Sequence, residues 1–276
     1  MTTIAVTGST GHIGGRVASE LARQGHRLRL IVRDTARAPR IADAQVAIAT
    51  YGDGEAVEKA LAGVDVVFMV SAHESADRVN EHLTFVAAAT RAGVRHIVYT
   101  SFVGAGHAAG FTLARDHGAT EDAIRDSGLG YTFLRDNFYL DLLPHFADEN
   151  GVIRGPSGDG VTAAVARADV ADAAVAVLEH PEQHSDTIYE LTGGEALSLG
   201  DVARRASAAT GRQFTFINET QDEAYASRAH YGAPAWQVEA WVSTYTAIAD
   251  GELARITDDV RRLTGHEPRT LEDVLG

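Results

Sequence analysis

The chain has 276 residues, with 38 Asp or Glu against 24 Lys or Arg and a formal net charge of −14, a balance that argues against nucleic acid and anionic membrane surfaces as partners. It has no cysteine, which excludes disulfides, thiolate metal sites and a Cys nucleophile. A composition of 45% hydrophobic residues can fill a large α/β core, no apolar run approaches the roughly 20 residues of a bilayer span, and a strand begins too early to leave room for a signal peptide, so a soluble cytoplasmic protein is expected.

Ile4-Ala5-Val6 reads as a first strand, followed by Thr7-Gly8-Ser9-Thr10-Gly11-His12-Ile13-Gly14. Glycines at every third position bring bare backbone and a helix N-terminus together, where unpaired N–H groups favour a pyrophosphate. The spacing is G-x-x-G-x-x-G rather than the usual G-x-G-x-x-G. Ile13, Val17 and Leu21 mark one apolar helix face, and Gly25 stops it. Strands follow at 28–32 and 46–49, then a helix at 54–62 closed by Gly63. Residues 64–70 are almost unbroken apolar sequence, as a strand buried on both faces requires. A helix at 75–92 ends at Gly93, and Ile97–Ser101 is the fifth strand. A loop with Gly104, Gly106 and Gly110 leads to a helix at 113–127 and a sixth strand at 131–134. Residues 155–160 read as a loop or hairpin tip. Asp169 is placed as an N-cap with Asp172 at N3, on a helix running to His180. A strand at 187–191, a helix capped by Ser198 and ending near Gly211, and a strand at 214–217 precede a mostly helical C-terminus.

Strand–helix alternation from 3 to 101 predicts a Rossmann-type, doubly wound, mostly parallel sheet of six or seven strands. The expected division is a dinucleotide-binding domain at 1–135 and a smaller, mainly helical substrate lobe at 136–276 that returns late strands to the sheet. Arg33 ends the second strand 19 residues past Gly14, where an acidic residue would bond the ribose 2′-OH of NAD. An arginine there suits the 2′-phosphate of NADP, because its planar fork matches phosphate oxygens.

Val6–Gly14, Ile31-Val32-Arg33, Tyr51-Gly52-Asp53, Tyr99-Thr100-Ser101, Leu134–Tyr139, Gly158-Asp159-Gly160 and Arg167–Ala171 together resemble the NmrA-like group of atypical short-chain dehydrogenase/reductases. Within that group the chain is most similar to the bacterial NADPH:quinone reductase branch. The resemblance covers essentially the whole chain and is weaker in its C-terminal half. It implies NADP(H) bound by Gly8, Ser9, Thr10, Gly11, His12, Ile13, Gly14, Arg33, Asp53, Val70, Ser71, Ala72, Asn137 and Phe138.

The usual catalytic pair of such enzymes, Tyr-x-x-x-Lys, is missing, since the only lysine is Lys59. At the matching place stands His117-Gly118-Ala119-Thr120-Glu121. Two readings compete. His117, with an ordinary pKa of about 6.5, donates a proton to the reduced oxygen while Glu121 holds it; or the two form an exposed i, i+4 pair of structural value only. Ser101, His117 and Asn137 are the catalytic candidates. Phe138 is either core or a flat face for the nicotinamide. His73, Arg78 and His82 are further groups that could face the site, but they make no metal set, because no carboxylate completes a ligand spacing. Phe102, Phe111, Tyr231, Trp236, Trp241 and Tyr245 read mainly as core, with a planar aromatic substrate as the alternative use.

The leading expectation is hydride transfer from NADPH to a quinone or similar conjugated carbonyl. A non-catalytic NADP(H)-binding redox sensor working through a protein partner, and a biosynthetic ketone or enone reductase, are the rivals. The partner expected is a small molecule, and a homodimer is the assembly left open.

Overall fold

The computed structural model describes residues 2–276. In chain order its elements are β1 (Thr3–Val6), α1 (His12–Arg23), β2 (Arg27–Val32), β3 (Gln45–Ile48), α2 (Gly54–Leu61), β4 (Val66–Met69), α3 (Arg78–Arg91), β5 (His96–Phe102), α4 (Thr112–Asp126) and β6 (Gly130–Asp136). There follow β7 (Val152–Gly155), β8 (Val161–Thr162), α5 (Arg167–Glu179), β9 (Thr187–Leu191), β10 (Leu197–Ser198), α6 (Leu199–Thr210), β11 (Thr215–Asn218), α7 (Gln221–Arg228), α8 (Ala235–Ala249), α9 (Asp259–Thr264) and α10 (Leu271–Leu275).

Seven strands form one sheet in the order β3-β2-β1-β4-β5-β6-β9. The pairings from β3 across to β5 are parallel, with Val6 opposite both Leu30 and Phe68. Chain direction across the sheet reverses at β1, because β2 lies on one side of it and β4 on the other. A cleft opens at such a switch point, beyond the carboxyl ends of the strands. Every residue of β1, β4 and β5 is buried; β4 is accordingly apolar throughout, while β5 also buries His96, Thr100 and Ser101. β3 is the exposed edge.

The chain divides into two compact units. The first comprises the chain up to Ser101 with Asp116–Arg135 and Val170–Tyr189; the second comprises Phe102–Arg115, Asp136–Asp169 and Glu190–Gly276. Val57, Leu61, Phe85, Tyr99, Ile124 and Phe133 are at the heart of the first unit's core. The second has two clusters, one around Leu140, Leu199, Val202 and Tyr245 and one around Phe102, Phe111 and Ile248.

Of the two readings of residues 155–160 the structure bears out the loop and not the hairpin tip, because β7 pairs in parallel with β11 while β8 pairs antiparallel with β10. One local expectation needs correction. Asp169 does not cap α5: the helix starts two residues earlier, and the fully buried Asp169 carboxylate accepts from the Arg269 backbone N–H and pairs with its guanidinium. Ser198, by contrast, does cap α6, accepting from the Asp201 N–H at 3.1 Å.

Candidate functional site

The loop from Thr7 to Gly14 is shaped by close backbone contacts. Gly8 has φ +61°, and a Cβ there would meet the Val70 side chain at 3.0 Å. A Cβ on Gly14 would fall 2.5 Å from the Gly8 carbonyl oxygen, so the first turn of α1 can pack on the loop only without a side chain. Gly11 occupies the N-cap of α1 and supplies no capping side chain. The first-turn N–H groups, those of His12, Ile13 and Gly14, therefore have neither an intrahelical acceptor nor a cap. Ser9 Oγ is buried beside them without a hydrogen-bond partner.

Next to this loop the first unit holds a cleft of about 320 Å³, lined among others by Gly8, Thr10, Arg33, Tyr51, Ser71 and His73. These residues follow β1, β2, β3 and β4, so the cleft lies at the carboxyl ends of the strands. Tyr51 braces its floor. Its hydroxyl donates to the Val70 carbonyl at 2.6 Å and lies 2.6 Å from Thr7 Oγ1, which accepts from the Val70 N–H. Burial pushes the Tyr51 phenol far above its ordinary pKa. Arg33 is exposed at the cleft wall. Its neighbour Asp34 caps the turn that follows, Oδ1 accepting from the Ala36 N–H at 2.9 Å. Val70, Ser71 and Ala72 line the cleft as well. Asp53 does not. It is exposed and caps α2, accepting from the Ala56 N–H at 3.0 Å.

His117 and Glu121 are both buried, so the exposed pair is overturned. They do not bond each other; each reaches β5. Tyr99 and Ser101 lie two apart on one face of that strand, and His117 and Glu121 lie four apart on one face of α4. The spans match, since four helical residues rise about 6 Å and two strand residues about 6.6 Å. Ser101 Oγ donates to Glu121 Oε1 at 2.6 Å. Arg135 grips the same carboxylate through two nitrogens, at 2.8 and 2.6 Å, and Arg125 donates at 2.9 Å.

His117 is placed between Arg78 Nη2, 3.0 Å from Nε2, and Tyr99 Oη, 2.9 Å from Nδ1. A guanidinium only donates, so Nε2 is the acceptor and the single ring proton sits on Nδ1, facing Tyr99. Burial first, and the Arg78 cation second, drive the imidazole pKa well below its ordinary value. As a proton donor His117 is thus corrected too: near neutral pH it is uncharged, with its one N–H turned to a buried phenol.

Arg78 and His82 do not face the cleft. One helical turn apart on α3, they clamp a single residue of its rim: Arg78 Nε donates to the Ala72 carbonyl at 3.0 Å, and His82 Nε2 accepts from the Ala72 N–H at 2.9 Å. His82 Nδ1 must then carry the proton, which it gives to Thr120 Oγ1 at 2.8 Å. Burial lowers the His82 pKa to about 3.

In the second unit Asn137 is buried and its amide is committed. Nδ2 donates to the Leu253 carbonyl at 3.0 Å, and Oδ1 accepts from the Phe138 N–H at 2.7 Å and from Thr162 Oγ1 at 2.9 Å. Phe138 packs against Phe102 at a tilt and against Phe111 edge-on, ring centres 5.1 and 5.2 Å away. Tyr245 is buried core, whereas Tyr231 is exposed with its ring against Trp241. Sequence reasoning missed Tyr99, Arg125 and Arg135 as partners of the α4 pair. The available signal was a tyrosine and a serine at alternate positions of a strand buried along its whole length.

Residues 8–181 match the NAD(P)H-binding family. The chain is similar to quinone oxidoreductase 2 of Escherichia coli strain K12, at 32% identity over 98% of this chain and 96% of that protein. It is also similar to the NAD(P)H azoreductase of Xenophilus azovorans, at 30% identity over 98% and 96% of the two chains. The solved structure of the NADPH-dependent quinone oxidoreductase QOR2 of Escherichia coli with NADPH superposes with a TM-score of 0.88, covering 99% of this chain and 98% of that one at 32% identity. The residues present here fit such a cofactor: the side-chain-free cradle of Gly8 and Gly14, the uncapped start of α1 and the unpartnered Ser9 hydroxyl all offer room or donors to a pyrophosphate.

Proposed function

This chain belongs to the NAD(P)H-binding family and is an NADPH-dependent oxidoreductase, and from that premise we propose that it reduces quinones and similar conjugated carbonyls without a side-chain acid. One observation carries the reading: the two groups best placed by sequence to donate a proton, Ser101 and His117, are both committed to buried partners. A saturated ketone needs a proton as hydride arrives, because the alkoxide left behind is strongly basic. A quinone does not, because conjugation spreads the charge and water completes the hydroquinone afterwards.

NADPH, when bound, supplies the hydride. The chain's own work is to bind and orient. The Gly8–Gly14 loop and the first-turn N–H groups of α1, with Ser9 and Thr10, hold the pyrophosphate. Arg33 takes the 2′-phosphate, and the Val70–Ala72 rim, clamped through Ala72, walls the cofactor. Asn137 fixes Phe138 and the Leu253 turn rather than offering its amide to a ligand. The names of the two relatives, one for a quinone and one for an azo acceptor, support an electron-poor conjugated substrate. An acidic chain without cysteine supports a cytoplasmic setting.

The test is NADPH oxidation across a panel of benzoquinone, azo dyes, enones, aldehydes and saturated ketones. Turnover concentrated on benzoquinone and azo acceptors is the expected result. Saturated ketones reduced as fast as benzoquinone, or silence across the panel, overturns the proposal.

A further inference from the structure

Glu81 is the one acidic side chain lining the first unit's cleft. It is half-buried in the first turn of α3, and its stem lies against Gly52, where a Cβ would be 3.7 Å from Glu81 Cγ. Among the described residues no hydrogen bond or ion pair reaches its carboxylate. Its nearest basic neighbours on α3 are engaged elsewhere: Arg78 with Ala72, Asp116 and His117, and His82 with Ala72 and Thr120. A carboxylate accepts hydrogen bonds and cannot donate them. In a cleft that takes an anionic dinucleotide it repels phosphate, so it is matched only by a donor on the ligand.

A dinucleotide has few donors in its adenosine half. The base carries one, the exocyclic amino group of adenine; the ribose that bears the 2′-phosphate retains only its 3′-hydroxyl. With the 2′-phosphate at Arg33, the base hangs from the neighbouring carbon of the same ribose and lies in the same cleft. We propose that Glu81 accepts a hydrogen bond from the adenine amino group and so selects the base of the cofactor. Asp53 is unsuited to that role, because its carboxylate caps α2 and does not line the cleft. The proposal rests on the reading of Arg33 as the 2′-phosphate ligand.

Both claims are separable by calorimetric titration of the full chain with NADPH, NADH and the purine analogue of NADPH, in which a hydrogen replaces the amino group. Glu81→Ala is expected to weaken NADPH binding about tenfold, the loss typical of one hydrogen bond to a charged group. The analogue's affinity is expected to change by less than about twofold, since it lacks the donor. Glu81→Gln retains an acceptor oxygen and is expected to keep part of the base preference. Arg33→Ala is expected to abolish the preference for NADPH over NADH while keeping the preference for adenine over unsubstituted purine. Equal losses for both bases in Glu81→Ala overturn the role of Glu81 and leave Arg33 untouched. An unchanged NADPH-to-NADH ratio in Arg33→Ala overturns the placement of the ribose, and the argument for Glu81 falls with it.

Discussion

Replacing Ser101 by alanine separates a structural serine from a catalytic one. The hydroxyl is fully buried and donates to Glu121 at 2.6 Å. A hydrogen bond to a charged group contributes about 1.5–3 kcal/mol. Glu121 keeps three further bonds after the substitution, two from Arg135 and one from Arg125, so its charge stays compensated and the cost falls at the low end, about 1.5 kcal/mol. The urea midpoint of Ser101→Ala should drop accordingly, while kcat with benzoquinone stays within about twofold of the parent. If Ser101 instead polarised the acceptor oxygen, kcat would fall by about 100-fold or more. Such a fall with an unchanged urea midpoint refutes the reasoning.

Other consequences follow from the same geometry. Gly14→Ala places a methyl group 2.5 Å from the Gly8 carbonyl oxygen, where only backbone can yield; it should cost about 1–3 kcal/mol of stability and abolish the fluorescence change on NADPH addition. Arg78→Met strips the Ala72 carbonyl, Asp116 and His117 Nε2 of their donor; it should destabilise the fold by about 3 kcal/mol and raise KM for NADPH more than it lowers kcat, so an unchanged KM contradicts the clamp. His82 and His96 are held neutral in the fold by burial, down to about pH 3 and about pH 4, and His117 is lowered well below its ordinary value. In the unfolded chain each takes up a proton near pH 6.5, so the unfolded state binds more protons below that pH. Stability should therefore be lost as pH falls from about 6.5, at up to about 1.4 kcal/mol per pH unit for each histidine, the loss ending near pH 4 for His96 and near pH 3 for His82. Identical urea midpoints at pH 7 and pH 5 would contradict this.

The sheet was legible because β4 and its flanks are almost unbroken apolar sequence, β1 is apolar after Thr3, and strand and helix patterns alternate along the chain, a signal that needs no tertiary knowledge. The glycine loop after β1 and the place of Arg33 at the end of β2 were legible for a similar reason, since spacing along the chain locates a loop and a strand end. What sequence could not reveal was which side chains are consumed by others. His117 and Glu121 look like a pair on their helix, yet the match between helix rise and strand rise hands each to a residue of β5. Asp53 looks like a ligand but serves the helix that follows it. Asp169 looks like a cap, but its carboxylate is claimed by Arg269, a hundred positions downstream. For His117, Glu121 and Asp169 the deciding partners are remote in sequence and the competition is settled by packing, whereas for Asp53 the partner is the Ala56 N–H three residues on.

The most direct measurement is the rate of benzoquinone reduction by saturating NADPH between about pH 6 and about pH 8.5, in water and in heavy water. With no side-chain acid in the hydride step, kcat should be flat across that range and equal in the two solvents. A titration near the ordinary histidine pKa, accompanied by a solvent isotope effect and abolished in His117→Gln, would contradict the account.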